Sequence, residues 1–318
     1  MSKTFQIIIS GQVQGVGFRP FVFGLAHQYR LKGSVCNNGD GVLIHINTEK
    51  KRAEQFLNAI LSNAPEISMV QSHSISEIPF RSYDDFRIVP SEVQEQINIP
   101  LTPDFVICEN CKSEIRNPAN RRYGYAFTTC TRCGPRYAIT TKFPFERANT
   151  TLSEFHMCPP CATEYTDPNN SRFHSQTNSC NECGIQLRLT TADGSPITVD
   201  TSKIIQKVAE FILRGNIISI KNTNGYLLCC DANNATAIMR LRENKQRPTK
   251  PFALLYPSIG KIKNDFELGP PEEKSLTGSA GPIVVLHPKK NITDLAQGAI
   301  APGLYPLGVM LPSSALLT

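Results

Sequence analysis

GQVQGVGFRPF, running from Gly11 to Phe21, separates two segments of different periodicity. Before it, Phe5–Ser10 alternates as a strand; after it, Phe21, Phe23, Leu25, Ala26 and Tyr29 mark an apolar helical stripe. The stretch therefore reads as a strand–loop–helix passage with glycines at 11, 15 and 17. Such a loop can gather backbone N–H groups into one concavity at a helix N-terminus, which favours an anion. Arg19 adds a guanidinium suited to two-point contact with a phosphate or carboxylate. The competing reading is a plain turn followed by a solvated arginine.

Working outward, 318 residues give room for two or three domains with their own cores. The composition is 40% hydrophobic and 19% charged, as in globular proteins, and no window of 18 apolar residues suggests a membrane span. A strand follows the first residues directly, without the basic region, apolar run and cleavage site of a secretory signal. A reducing compartment is expected, and the expected location is cytoplasmic. There, 11 cysteines read as metal ligands before disulfides. The formal charge is +6, but eight thiolates on two dications would lower it by 4, to about +2. The basic residues are also dispersed, which argues against nucleic acid as a partner.

Residues 1–91 read as a small α/β domain. Strands are expected at Phe5–Ser10, Gly33–Val35, Val42–Asn47 and Asp85–Val89, with helices near Phe21–Tyr29 and Lys51–Leu61. The order strand–helix–strand–strand–helix–strand is that of a ferredoxin-like α/β sandwich. NNGDGV, from Asn37, marks a turn before the third strand. Polar residues with Pro100 and Pro103 make 92–103 a linker.

The character changes over 104–190. CxxC pairs stand at Cys108/Cys111, Cys130/Cys133, Cys158/Cys161 and Cys180/Cys183, with 18 residues inside each half and 24 between the halves. Two such pairs supply four thiolates to a tetrahedral zinc. The repeated gap predicts an internal duplication, with Cys108, Cys111, Cys130 and Cys133 on one ion and Cys158, Cys161, Cys180 and Cys183 on the other. Interleaved pairing of the CxxC units is the alternative. Four thiolates per ion leave no open coordination position, so both ions are expected to be structural, replacing the core that about 40 residues cannot build. His156 and His174 lie close to the knuckles and read as packing residues, with metal ligation as the alternative. Tyr123, Tyr125, Phe127, Phe143, Phe145, Tyr165 and Phe173 read as packing for the zinc modules before base stacking.

From 200 to 318 an α/β pattern resumes. A helix is expected over Thr201–Leu213, strands at Ile217–Ile220 and Leu227–Cys230, and a helix from about Ala235 to Arg242. Lys221 follows the first of these strands, and Lys245, Arg247 and Lys250 cluster before the next apolar run. These four cations suit a nucleotide polyphosphate; a solvated basic loop is the competing reading.

GQVQGVGFR together with VCNNGDG resembles the acylphosphatase signature. CENC, CTRCGPRYAI, CPPCATEY, RFH and CNECG resemble the double zinc-finger segment of the hydrogenase maturation carbamoyltransferases, the HypF family. IKNTNGYLLCCDANNATAIMRLRENKQRPTKPFALL, and later APGLYPLGVMLP, resemble the YrdC-like nucleotide-binding domain of that family. The resemblance implies an α+β multidomain chain: an acylphosphatase-like sandwich, two four-cysteine zinc modules and part of a YrdC-like domain. It implies that carbamoyl phosphate is opened to phosphate and carbamate in the first domain. ATP, with Mg, then adenylates carbamate, and the carbamoyl group passes to the C-terminal cysteine of a HypE-like partner protein. On this resemblance the loop Gln14, Gly15, Val16, Gly17, Phe18 and Arg19 binds the phosphoryl group and Asn37 orients the attacking water, while Lys221, Lys245, Arg247 and Lys250 serve the nucleotide.

Two departures stand out. The family's KGxGGY becomes KNTNGY at 221–226, with Asn222 and Asn224 replacing small residues, and Gly281 stands where the family has an arginine before PIV. The sequence stops at LPSSALLT inside an apolar pattern, so a fragment or truncated product is expected, with complete carbamoyl transfer outside its reach. Two other functions fit less of the sequence: a stand-alone acylphosphatase with accessory domains, and a zinc-dependent RNA-binding or scaffold protein.

Overall fold

The computed structural model describes residues 3–91, 96–290, 292 and 294–318. The expected linker at 92–103 falls partly outside the described residues, at 92–95. The chain forms two compact units, one of Met1–Asp104 with Thr128–Gly184, the other of Phe105–Phe127 with Ile185–Thr318. Among the described residues no helix is long and apolar enough to cross a membrane.

The first unit is built on β1 (Lys3–Gln12), α1 (Phe18–Gln28), β2 (Lys32–Asn38), β3 (Gly41–Thr48), α2 (Lys50–Ser62), β4 (Met69–Ile78) and β5 (Phe86–Ile88). The sheet order is β4-β1-β3-β2-β5. Alternation along β1 buries Phe5, Ile7 and Ile9 on one face, beside Ile44 and Ile46 of β3. Val22 and Ala26 of α1 and Ala53, Phe56 and Ile60 of α2 complete that core. Both helices thus lie on one layer and the sheet forms the other, as a ferredoxin-like sandwich requires.

One expected strand is corrected. The sequence pattern makes 85–89 the closing strand of the sandwich, but the strand that pairs antiparallel with β1 is β4. The 86–88 segment is a short edge strand, parallel to β2. MVQSHSISEI, the sequence of β4, is exposed or half-buried throughout. Its apolar residues do not mark a buried face, and its place comes from backbone pairing with β1.

Beyond this sheet the chain runs through α3 (Glu109–Arg116), in the second unit, and α4 (Pro159–Thr166), in the first. The second unit continues with α5 (Ile204–Leu213), β6 (Ile218–Asn222), β7 (Gly225–Cys229), α6 (Ala235–Asn244), β8 (Ala253–Leu255), α7 (Ile259–Asp265), α8 (Pro270–Thr277), β9 (Val284–Leu286), α9 (Gln297–Ile300) and β10 (Leu307–Met310). β10 lies between β8, parallel to it, and β9, antiparallel; β6 and β7 form a separate hairpin. Ile238, Leu254, Ile262, Phe266, Leu286, Ile300, Leu307 and Val309 are buried together as its core.

The β2–β3 turn places the end of β2 at the loop described below. Asn38 and Gly41 are register partners, and the Asp40 amide donates to Asn38 Oδ1 at 3.1 Å. Gly41 has φ +139°, and a Cβ there would stand 2.0 Å from the Ile9 carbonyl oxygen. Gly41→Ala is expected to destabilise the first unit by about 2 kcal/mol, read as a lower urea midpoint. An unchanged midpoint would show that β1 can move away without loss.

Candidate functional site

The passage from β1 to α1 is shaped by two left-handed glycines, Gly15 at φ +73° and Gly17 at φ +76°. Gly17 caps α1 with its backbone alone and no side-chain hydrogen bond. Among the described residues the amides of Gly15 to Arg19 donate no hydrogen bond, so this loop holds a group of open N–H donors at a helix N-terminus. Gln14 braces it from below: Nε2 donates to the carbonyls of Asn38 at 2.7 Å and Gly41 at 2.9 Å, and Oε1 accepts from the Phe145 amide at 3.1 Å.

A cavity of this unit is lined by the loop, Arg19 and Asn37, together with Thr131, Arg136, Phe145 and His174–Gln176 from the cysteine-rich segment. Asn37 enters from β2; its Oδ1 is buried and hydrogen-bonded to nothing among the described residues. Such an atom is costly unless a ligand or water completes it. Arg19, almost wholly buried, pairs through NH1 and NH2 with the carboxylate of Glu146, and Ser91 Oγ also donates to that carboxylate. The sequence reading missed Glu146: its signal was only a charge between Phe145 and Arg147.

Arg136 was also missed. It is fully buried, donating Nε to the Gly15 carbonyl, NH1 to Cys133 and Pro135, and NH2 to Cys130 and Thr131. All five of its N–H groups are used. The cation thus ties the glycine loop to the CTRC knuckle, and its own amide donates to Asp104 at 2.7 Å. His174 borders the same cavity, with its ring against Phe173 and Tyr165. Burial, and then the Arg19 charge, push its imidazole down to about 4, so it is neutral near pH 7.

The eight cysteines gather as consecutive sets, not interleaved ones. The sulfurs of Cys108, Cys111, Cys130 and Cys133 lie within 4.8 Å of one another, as do those of Cys158, Cys161, Cys180 and Cys183. A tetrahedron with Zn–S bonds of about 2.3 Å has edges of about 3.8 Å. The Cys158–Cys180, Cys180–Cys183 and Cys161–Cys183 separations are 3.7, 3.8 and 3.6 Å, and Cys130–Cys133 is 3.7 Å. The donor sets fit structural zinc ions. Cys108 and Cys158 each precede a helix, α3 and α4, whose N-termini favour thiolate. His156 and His174 belong to neither set.

In the second unit, Lys221 stands on β6 with its Nζ 4.9 Å from the centre of the Tyr226 ring. Lys245 and Lys250 are exposed after α6. Arg247, beside the Phe252 ring, donates to the carbonyls of Lys250 at 3.1 Å and Pro251 at 2.5 Å in its own loop. Buried Arg242, which the sequence reading passed over, donates to Ala299, Arg247, Lys250 and Ile300 and fixes that loop. Asn222 donates to Ser314 Oγ at 3.2 Å. Gly281 has φ +54°, and a Cβ there would stand 2.2 Å from Val106 Cγ1, so this backbone leaves no room for the family's arginine.

Comparison with known proteins gives three family matches. The Acylphosphatase model matches residues 5–88, the HypF finger model matches 107–140 and 157–190, and the Sua5, YciO and YrdC model described as telomere recombination matches 210–318. A carbamoyltransferase HypF of Synechocystis sp. is 41% identical over 311 residues, which are 98% of this chain and 40% of that relative. An acylphosphatase of Ligilactobacillus salivarius is 36% identical over 87 residues, 27% of this chain and 97% of that one. A crystal structure of full-length HypF in the phosphate- and nucleotide-bound form has a TM-score of 0.89 at 38% identity, covering 99% of this chain and 41% of its own. The chain thus spans about two fifths of the length of these carbamoyltransferases.

The four-cysteine geometry and the buried imidazole each have a measurable consequence. Purified protein is expected to hold two zinc ions in all-sulfur coordination, and a strong chelator to unfold the cysteine-rich segment; metal analysis and circular dichroism check this, and one ion or none contradicts it. The second consequence concerns His174. The unfolded chain takes up its proton near pH 6.5 and the folded chain only near 4, so acidification across that window favours unfolding. His174→Gly removes this contribution. Its unfolding free energy is expected to fall less steeply than the wild type's between pH 6.5 and 4, and parallel curves would refute the assignment.

Proposed function

Because this chain belongs to the HypF family of carbamoyltransferases, whose N-terminal portion it matches, we propose that it opens carbamoyl phosphate in the cavity of its first unit. The observation that carries the reading is the unsatisfied, buried Asn37 Oδ1, which shares one cavity with the open loop amides and the Arg19 guanidinium. Those are the three parts that hydrolysis of a mixed anhydride needs.

The substrate is already activated, so placement and charge stabilisation supply the catalysis. The amides of Gln14, Gly15, Val16, Gly17, Phe18 and Arg19, with the Arg19 side chain, hold the phosphoryl oxygens. Asn37 Oδ1 accepts from the attacking water and aims its lone pair at phosphorus. The new P–O bond forms as the bond to the acyl oxygen breaks; the electron pair leaves on carbamate and the water's proton goes to solvent. Glu146 must yield its place on Arg19 when the phosphoryl group arrives. Zinc holds the cysteine-rich segment in shape and takes no part in this step.

The remaining family chemistry rests on resemblance. The full-length HypF crystal structure holds phosphate and nucleotide. In this chain ATP, with Mg, would meet Lys221, Lys245, Arg247 and Lys250, and the carbamoyl group would pass to the C-terminal cysteine of a HypE-like partner in the cytoplasm. With Arg247 bound to its own loop and Gly281 in place of arginine, these 318 residues are proposed to carry out the carbamoyl phosphate step and not the complete transfer. The same reading divides the chain at 1–91, 92–103, 104–190 and 200–318.

Arg19→Ala is expected to lower kcat/KM for carbamoyl phosphate by on the order of 100-fold. Asn37→Ala should lower kcat more than it raises KM, since the water is placed mainly in the transition state. Phosphate release without ATP is the measurement. Wild-type turnover by Arg19→Ala would remove the site from the account.

A further inference from the structure

The acyl phosphate reading assigns the phosphoryl oxygens and the water but leaves the acyl end of the substrate without a partner. The cavity's side chains narrow the choice. Arg136 has spent all five donors on carbonyls. Gln176 accepts from the Arg147 amide and donates to the His174 carbonyl and Tyr165 Oη. Thr131 donates to the Ser171 carbonyl, and Ser175 Oγ lies 3.5 Å from Thr177 Oγ1. Beside Asn37, only the imidazole of His174 makes no hydrogen bond to the described residues among these polar lining side chains.

The backbone at His174 gives a second, independent observation. The two zinc repeats align residue for residue, so that Gly124 and His174 each stand 13 positions after the second cysteine of their first knuckle. Their local bonds correspond: the Gly124 amide donates to Ile115 and the His174 amide to Tyr165, both at 2.9 Å. Both residues are left-handed, Gly124 at φ +64° and His174 at φ +53°. The first repeat thus fills this position with the residue that suits it, and the second keeps a bulky side chain in a conformation that disfavours one. Strain retained at the edge of a cavity points to use of the side chain.

We propose that His174, presented by the second zinc repeat, is a substrate-contacting residue whose ring N–H donates a hydrogen bond to the acyl oxygen of the acyl phosphate. The inference rests on the acyl phosphate reading of the cavity. A neutral ring is what this role needs, since it leaves one N–H to donate without placing a second cation beside Arg19. The first zinc repeat carries no such group at its matching position.

The test uses the full chain with zinc bound. His174→Gly is expected to lower kcat/KM for carbamoyl phosphate roughly 10-fold or more, the scale of one lost hydrogen bond to a reacting group. Competitive inhibition by inorganic phosphate, which has no acyl end, should not change. The melting temperature should hold or rise, because glycine takes this φ without strain. His174→Asn tolerates the same backbone and offers an amide donor, so it should recover most of the loss. Full activity in His174→Gly overturns the proposal. So does weakened phosphate inhibition, which would move the contact to the phosphoryl group, or a loss in both variants that tracks a lower melting temperature and zinc content. Absence of turnover in the wild type would instead fell the acyl phosphate reading itself.

Discussion

The first unit depends on one buried cation. Arg136 joins the glycine loop to the CTRC knuckle through five carbonyl acceptors, each of its N–H groups being used. Burial works against its charge, while Cys133, Cys130 and Asp104 favour it. A zinc ion held by four thiolates would carry a net charge of about −2, and so would supply counter-charge for a buried guanidinium. With zinc bound, metal centre and arginine would stabilise each other beside the glycine loop.

This arrangement explains why a small sandwich and a zinc module act as one surface. An isolated glycine loop leaves its donors facing water, where they are worth little. Phe145, Thr131 and the His174–Gln176 segment cover the loop instead. Inside such a cover electrostatic contacts gain strength, because less solvent screens them. On the proposed reading, zinc ions in the four-cysteine sets would serve catalysis without chemistry of their own.

Much of this was legible in the sequence. The glycine loop, the two helices and the cysteine spacing each follow from local rules, and the consecutive four-cysteine sets follow from the equal gaps. What was hidden depends on distant partners. β4 carries no apolar face because it is an exposed edge beside β1. Glu146 lies 127 residues from Arg19 in sequence, and Arg136 lies 121 from Gly15. Nothing in the neighbouring residues marks either contact. The two bonds from Arg247 go to backbone carbonyls of its own loop, which composition does not show. Asn37 and Asn38 could be told apart only by resemblance; the structure separates their surroundings, since Asn38 Oδ1 accepts from the Asp40 amide and Asn37 Oδ1 has no such bond.

The ion pair between Arg19 and Glu146 also changes what binding means at this cavity. A guanidinium buried alone would face incoming anions as an unscreened positive charge and would draw in any of them. On the proposed reading, an entering phosphoryl group would meet a cation already paired with a carboxylate, and occupancy would be an exchange of one anion for another. The net charge of the cavity changes little for a monoanionic guest and becomes more negative for a dianion. A tetrahedral phosphoryl group could reach the loop amides while contacting Arg19, which the Glu146 carboxylate, paired with Arg19, does not do. The resident carboxylate would then act as a standing competitor against which every ligand is weighed.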